Sequence, residues 1–180
     1  LNQRMDLLHE NDIEINVEDA RNYNAMSLLV GKHKPDVIIH LAAVSHANKS
    51  NKDPHTTFDH TLRTLENTLD IARSEGSHVI YFSSSMAYGH FDGKAVTEET
   101  PCKPLGIYGT LKYSGELIVK AYSRVFDLPY TIIRPSALYG ERCVSRRVSQ
   151  IFIENAVQKL DIAINGDGSD KLDFTYIDDM

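Results

Sequence analysis

The chain of 180 residues holds only two cysteines, Cys102 and Cys143. No C-x-x-C occurs, so neither a zinc site nor a disulfide framework is expected. The eight histidines include no H-E-x-x-H and no two-plus-two ligand spacing, and no metal site is expected. Basic charge is in deficit: 19 lysines and arginines against 25 aspartates and glutamates leave a net charge of −6, with a pI near 5.7. That balance gives no broad attraction to phosphate backbones or anionic lipid, which argues against nucleic-acid and membrane partners. No apolar run approaches the roughly 20 residues a bilayer span needs. No signal-peptide pattern is visible. With so few cysteines, the expectation is a cytoplasmic protein. Glycine is also scarce early in the chain, with Gly31 alone before Gly76.

What is present is ordinary globular material, 42% hydrophobic and 24% charged. The chain starts at Leu1 and stops at Met180 directly after a strand-like run, so it reads as an internal fragment of a larger domain. Strand and helix patterns alternate. Residues 12–17 (D-I-E-I-N-V) alternate with period two and predict a short strand. Residues 22–29 predict a helix with Gly31 as its stop signal. Residues 37–41 form a continuous β-branched run of the buried parallel-sheet kind. Asp53-Pro54 opens a long helix to about residue 73, ended by Gly76. Strands are expected at 78–82 and 130–133, helices at 105–126 and 148–160, a polar loop at 90–103, and short strands at 162–164 and 172–177. Crossovers of ten or more residues imply a parallel α/β sheet with helices on both faces. Ligands of such sheets bind at the carboxyl ends of the strands.

Three of those ends carry suggestive residues. Ala42-Ala43-Val44-Ser45-His46 follows the first buried strand, Ser83-Ser84-Ser85-Met86-Ala87-Tyr88-Gly89 the second, and Arg134-Pro135-Ser136-Ala137-Leu138-Tyr139-Gly140 the third. Tyr108 and Lys112 are four apart on a predicted helix and share one face. A free tyrosine titrates near 10 and is a poor base at neutral pH, but a nearby cation favours its phenolate. Lys112 can supply that cation, and a hydroxyl from Ser84 can hold a substrate oxygen beside the phenol. Such a set can move a proton while a cofactor takes a hydride. A lone Y-x-x-x-K arises by chance in many helices, and serines after a strand are usually a turn. The conjunction carries the weight, with Tyr108 lying 24 residues after Ser84.

These pieces resemble the extended short-chain dehydrogenase/reductases, specifically the NAD-dependent epimerase/dehydratase group acting on nucleotide sugars. The resemblance rests on Asp19-Ala20-Arg21-Asn22, His40-Leu41-Ala42-Ala43, the Ser83–Gly89 segment, Tyr108-Gly109-Thr110-Leu111-Lys112, the Arg134–Gly140 segment, and Gly166-Asp167-Gly168 with Asp173-Phe174-Thr175-Tyr176-Ile177-Asp178-Asp179. They stand in family order across nearly the whole chain. The resemblance implies a Rossmann-like fold, with residues 1–180 forming a partial NAD(P)-binding domain and 141–180 running into the substrate-binding region. It makes Tyr108, Lys112 and Ser84 the catalytic set. It assigns Asp19, Ala20, Leu41, Ala42, Ala43, Pro135 and Ser136, with Tyr108 and Lys112, to the cofactor. Ser84, Ser85, His46 and Arg142 are the candidates for substrate contact; His46 fits a surface histidine equally well. The resemblance also suggests a homodimer built on the two long helices.

The departures shape the expected function. The family opens with a strand, a G-x-x-G-x-x-G turn and a helix whose N-terminus holds the cofactor pyrophosphate, and this sequence has no such turn. The chain is therefore expected to be truncated at its N-terminus, and to bind NAD weakly by itself. Ser84 is followed by Ser85 and Met86, not by the acidic residues of the 4,6-dehydratases, which favours a 4-epimerase. Ala137 stands where asparagine is common and Lys171-Leu172 where arginine is usual. Arg142, Arg146 and Arg147 can supply phosphate contacts instead, or form a solvated basic helix start. Two other readings stay open: an NAD(P)-dependent reductase of a non-nucleotide substrate, and a truncated non-catalytic module. The residue that separates NAD from NADP is not legible, so NADP stays open beside NAD.

Overall fold

A computed structural model describes residues 2–91, 95–143, 147–169 and 171–180. The described elements are α1 (Asn2–Glu10), α2 (Tyr23–His33), β1 (Val37–His40), α3 (Ala47–Lys52), α4 (Pro54–Phe58), a π-helical turn (Asp59–Arg63), α5 (Thr64–Glu75), β2 (His78–Phe82), a short 3-10 turn (Ser85–Ala87), α6 (Ile107–Phe126), β3 (Tyr130–Ile133), β4 (Ala137–Tyr139), α7 (Val148–Val157), β5 (Phe174–Tyr176) and a final 3-10 turn (Ile177–Asp179). They fall into two compact units: residues 17–135, and residues 1–16 together with 136–180.

In the larger unit β1, β2 and β3 form a parallel sheet in that order, with Val37 opposite His78 and Phe82 opposite Ile133. Parallel order forces helical crossovers, and the sequence supplies them. Asp53 caps the first: its carboxylate accepts from the Thr56 N–H at 3.1 Å, and Pro54 occupies the first turn. The helix continues through the π-helical turn and stops at Gly76, whose φ of 75° is easiest for a residue without a Cβ. Leu65, Leu69 and Ala72 lie on one face of α5. They pack against Val79 and Tyr81 of β2, Val119 of α6, and Leu128 as a single buried cluster, flanked by Ile38 and Ile132.

The parallel α/β arrangement and the strands at 78–82 and 130–133 are as the sequence predicts. Several local readings need correction. Residues 12–17 form no strand: Ile13 and Val17 are exposed, and among the described residues no partner strand offers them backbone hydrogen bonds. The predicted helix from residue 22 does not stop at Gly31. It is capped by Asn22, runs through Gly31, and ends at Lys34 in the left-handed region at φ 43°. β1 ends at His40, and its outer residues Val37 and Ile39 are 46% and 57% exposed because this unit's packed core lies on the other face. Among the described residues, 162–164 pair with no strand, and of 172–177 only Phe174–Tyr176 forms one. Part of the 90–103 loop, residues 92–94, lies outside the described residues.

The smaller unit contains the parallel pair β4–β5, with Ala137 opposite Phe174. Tyr139 packs on the rings of Phe174 and Tyr176. Gly140 adopts φ 149°, and a Cβ there would collide with Ile177.

Leu69 is fully buried in the main cluster. Leu69→Ala is expected to lower unfolding free energy by about 2–5 kcal/mol. Val17→Ala, at a side chain 92% exposed, is expected to change it by less than about 0.5 kcal/mol. Urea unfolding of both variants checks the assignment of the core.

Candidate active site

The site grows from the carboxyl ends of β2 and β3. Ser83 continues the ladder, its N–H donating to the Ile133 carbonyl at 2.8 Å, and the Ser85 N–H donates to the Pro135 carbonyl at 3.0 Å. Ser84 between them is buried, and its hydroxyl oxygen accepts the Met86 N–H at 3.2 Å, capping the 3-10 turn. Ser85 is half-buried. The start of α6 lies directly against this turn. A Cβ on Gly109 would stand 2.5 Å from the Met86 carbonyl oxygen, and one on Gly115 would meet the Tyr81 ring and hydroxyl. Both glycines let the helix approach the strand end closely.

That approach places Lys112. Its side chain is 5% exposed, and Nζ donates to the carbonyl of Phe82, the last residue of β2, at 2.7 Å. Nζ also sits 5.4 Å from the centre of the Tyr81 ring. Burial lowers the ammonium pKa from 10.5 to about 8, so Lys112 still carries its proton at neutral pH. The Tyr81 hydroxyl donates to the Lys112 backbone carbonyl at 3.2 Å, and burial holds that phenol neutral well above its usual range. Tyr108 stands half-buried one turn before Lys112. Tyr108, Lys112, Ser84, Ser85 and Pro135 therefore gather around one end of the sheet.

The other predicted positions divide. Ala42 and Ala43 follow β1, and the Ala42 carbonyl lies 3.1 Å from the Thr64 hydroxyl. Leu41 is 64% exposed at the same strand end. The carbonyl of Ala20 accepts from the Asn67 side-chain amide at 3.0 Å, which ties its loop to α5. Both oxygens of Asp19 accept from Arg21, and these bonds hold its carboxyl down at about 2. Any ligand contact at Asp19 competes with that ion pair. The backbone carbonyl of His46 caps α3, which packs against α6, and the Asn51 amide oxygen accepts from the Ile107 N–H at 3.4 Å.

Ser136 and Arg142 belong to the other compact unit. Arg142 has φ 59°, and its carbonyl accepts from the Arg4 guanidinium at 3.0 Å. Arg147 precedes α7 and helps line a cavity of about 310 Å³ with Tyr139, Gln150, Ile153 and Tyr176. Arg146 lies outside the described residues.

Sequence patterning gave no role to three polar residues, His40 and Glu116, which are buried, and Arg134, which is half-buried. His40 closes β1, receives or donates a bond with the Thr68 hydroxyl at 2.9 Å, and stacks on Tyr81. Burial, then the Lys112 charge, lowers its pKa from 6.5 to about 4. Glu116 and Arg134 form a buried ion pair at 2.6 Å. The available signal was a glutamate four residues after Lys112, on the same stripe as Tyr108 and Lys112.

Among the described residues, no helix is long and apolar enough to cross a membrane. The sequence matches the family model described as NAD dependent epimerase/dehydratase over residues 2–180. YtcB of Bacillus subtilis (strain 168), described as an uncharacterized UDP-glucose epimerase, is 33% identical over 175 residues, covering 96% of this chain and 54% of that protein. A putative UDP-glucose 4-epimerase of Methanocaldococcus jannaschii is 34% identical over 150 residues, covering 81% of this chain and 49% of its own. A variant of UDP-glucuronic acid 4-epimerase from Bacillus cereus, solved with UDP-4-deoxy-4-fluoro-glucuronic acid and NAD, superposes with a TM-score of 0.88 at 28% identity, covering 98% of this chain and 56% of that one. The chain belongs to the NAD dependent epimerase/dehydratase family. It spans about half the length of the curated relatives it matches.

The buried ammonium has a testable signature. Between pH 8 and 10.5 the unfolded chain keeps a proton on Lys112 that the folded chain has released, so the lysine's contribution to stability rises with pH there. Relative to Lys112→Met, the wild-type protein is expected to gain stability from pH about 7.5 to about 10. Urea unfolding of both proteins at the two pH values measures it, and a constant difference contradicts the buried charge.

Proposed function

We propose that these residues form the catalytic side of an NAD-dependent nucleotide-sugar 4-epimerase. The observation that carries the reading is the Lys112 ammonium fixed on the Phe82 carbonyl, with Ser84 two residues beyond that carbonyl and Tyr108 one helical turn before the lysine. The residues fit the nicotinamide end of a dinucleotide. Ala42 and Ala43 leave room at the end of β1, and Lys112 keeps further N–H donors for ribose hydroxyls. The sequence offers no Gly-x-x-Gly-x-x-Gly turn for the pyrophosphate.

The chemistry then follows from the side chains. Tyr108, as phenolate beside the ammonium, accepts the proton of the sugar 4-hydroxyl, while the Ser84 hydroxyl holds the same oxygen. Bound NAD would supply the hydride acceptor for C4 and the hydride donor for the other face of the sugar. Tyr108 gives its proton back to the re-formed alkoxide, so no net oxidation results. The residues after Ser84, Ser85 and Met86, carry no carboxyl that could drive elimination of water. This supports epimerisation over dehydration.

Residues 141–180 run into the substrate-binding part in this reading, and Arg147, Gln150, Ile153 and Tyr176 of that stretch line the cavity. Exposed Phe58 on α4 and exposed Leu117 and Val125 on α6 support a homodimer through the two long helices. The net charge of −6 supports a protein without nucleic-acid or membrane partners, and the scarcity of cysteine supports a cytoplasmic one. Ala137 and Leu172, in place of polar residues, favour the alternative of a reductase for a non-nucleotide substrate.

The test uses the longest natural chain that contains these residues, supplied with NAD. Conversion of UDP-glucose, UDP-glucuronic acid or an N-acetylated analogue to its C4 epimer, followed by NMR without added reductant, is the expected result. No epimer from any of them, with NADPH consumed by a simple ketone, selects the reductase. Tyr108→Phe is expected to lower turnover at least about 100-fold. An unchanged rate removes Tyr108 from its role.

A further inference from the structure

Glu116 is fully buried, yet it is not paired with Lys112, the cation one turn before it on the same helix. Its carboxylate is taken by groups from two strand ends. Arg134, just past β3, donates from Nε to Oε1 at 2.8 Å and from Nη2 to Oε2 at 2.6 Å, a two-pronged fork. Ser83, just past β2, donates its hydroxyl proton to Oε1 at 2.5 Å. The guanidinium also reaches the Glu98 carbonyl at 3.3 Å and lies 4.7 Å over the buried Tyr88 ring. One carboxylate therefore ties α6 to the ends of both strands that frame Ser84.

Burying such a pair is a poor way to gain stability. Removing two charges from water costs several kcal/mol per ion, and apolar pairs of similar size are often at least as stable. What the pair adds is direction. Three hydrogen bonds with fixed geometry hold a helix in one register, whereas apolar contacts allow it to slide. Tyr108, Lys112 and Glu116 recur every four residues along one stripe of α6, so fixing the last of them fixes the other two. The fork also occupies Glu116, so that carboxylate does not neutralise Lys112.

We propose that Glu116, with Arg134 and Ser83, is a positioning residue: it locks the stripe bearing Tyr108 and Lys112 in register with Ser84. The proposal rests on the function proposed above for those three side chains. Angular errors of ten to twenty degrees at such a site are enough to slow chemistry.

The test is Glu116→Leu combined with Arg134→Met, an apolar pair that removes both charges together, examined in the longest natural chain with NAD. Folding is expected to persist, with a melting temperature within a few degrees of wild type. Turnover is expected to fall at least about 10-fold with KM changed less than about 3-fold. Amide hydrogen exchange at Ser85 and Met86, whose N–H groups bond to Pro135 and Ser84, is expected to quicken at least about 10-fold. A folded double variant with wild-type turnover and exchange overturns the proposal. Should the double variant fail to fold, Ser83→Ala decides: it removes one bond, and unchanged turnover and exchange there overturn the proposal equally. If the wild-type protein shows no epimerase or reductase activity, the proposed function fails, and the exchange measurement still judges the clamp.

Discussion

A buried lysine on the last carbonyl of a strand is the contact on which the rest of this site depends. Lys112 brings a buried positive charge to the carboxyl end of β2, where the Phe82 carbonyl accepts its hydrogen bond. The contact requires the helix to come within backbone distance of the strand end. Gly109 and Gly115 permit that, one facing the Met86 carbonyl and the other the Tyr81 ring. A side chain at either place would push α6 outward, and an ammonium on a four-carbon stem cannot follow both its carbonyl and its helix. The glycines are thus as much part of the site as the lysine. They convert a common helix-on-sheet packing into one with a defined polar contact at its end.

The loops that carry the remaining candidates are held by the same economy of short bonds. Asn67 on α5 holds Ala20, and Thr64, one turn earlier, lies against Ala42. Thr64 has one proton and three carbonyls within reach, those of Ala42, His60 and Thr61, so it also satisfies a helix widened by the preceding π-helical turn. The loop before α2 and the loop after β1 are therefore both referred to a single helix. α6 does the same for the ends of β2 and β3. The strand ends are positioned by helices that the hydrophobic cluster has already fixed against the sheet.

How far the sequence reveals this depends on which physical signal each element emits. His78–Phe82 and Tyr130–Ile133 are legible because β-branched and aromatic residues bounded by polar ones read as strands without a partner being known. Residues 12–17 alternate with period two and form no strand among the described residues, because a strand exists only with a neighbour, and alternation says nothing about neighbours. β4 was passed over for the converse reason: Ala137-Leu138-Tyr139 is short and unremarkable, and it becomes a strand by pairing with Phe174–Tyr176. In the site, Tyr108 and Lys112 were legible through their spacing. Glu116 follows the same spacing but emits no signal of its own, because a glutamate on a helix is usually exposed. Its partner lies 18 residues away in sequence at the end of another strand, a relation that helical periodicity does not encode.

The charge states around Lys112 follow from residue type more than from special design. Burial lowers the lysine from 10.5 to about 8 and the adjacent histidine, His40, from 6.5 to about 4. Both groups are pushed toward their neutral forms, the histidine by the Lys112 charge as well as by burial. The consequences at neutral pH are opposite, because the lysine starts far above 7 and the histidine just below it. One cation survives and the other does not form, so two like charges never share the same poorly hydrated space. His40 can then serve as a neutral ring stacked on Tyr81, whose protonated hydroxyl steadies the Lys112 backbone. Exchanging the two residue types would leave the strand end with an uncharged ring at the Phe82 carbonyl.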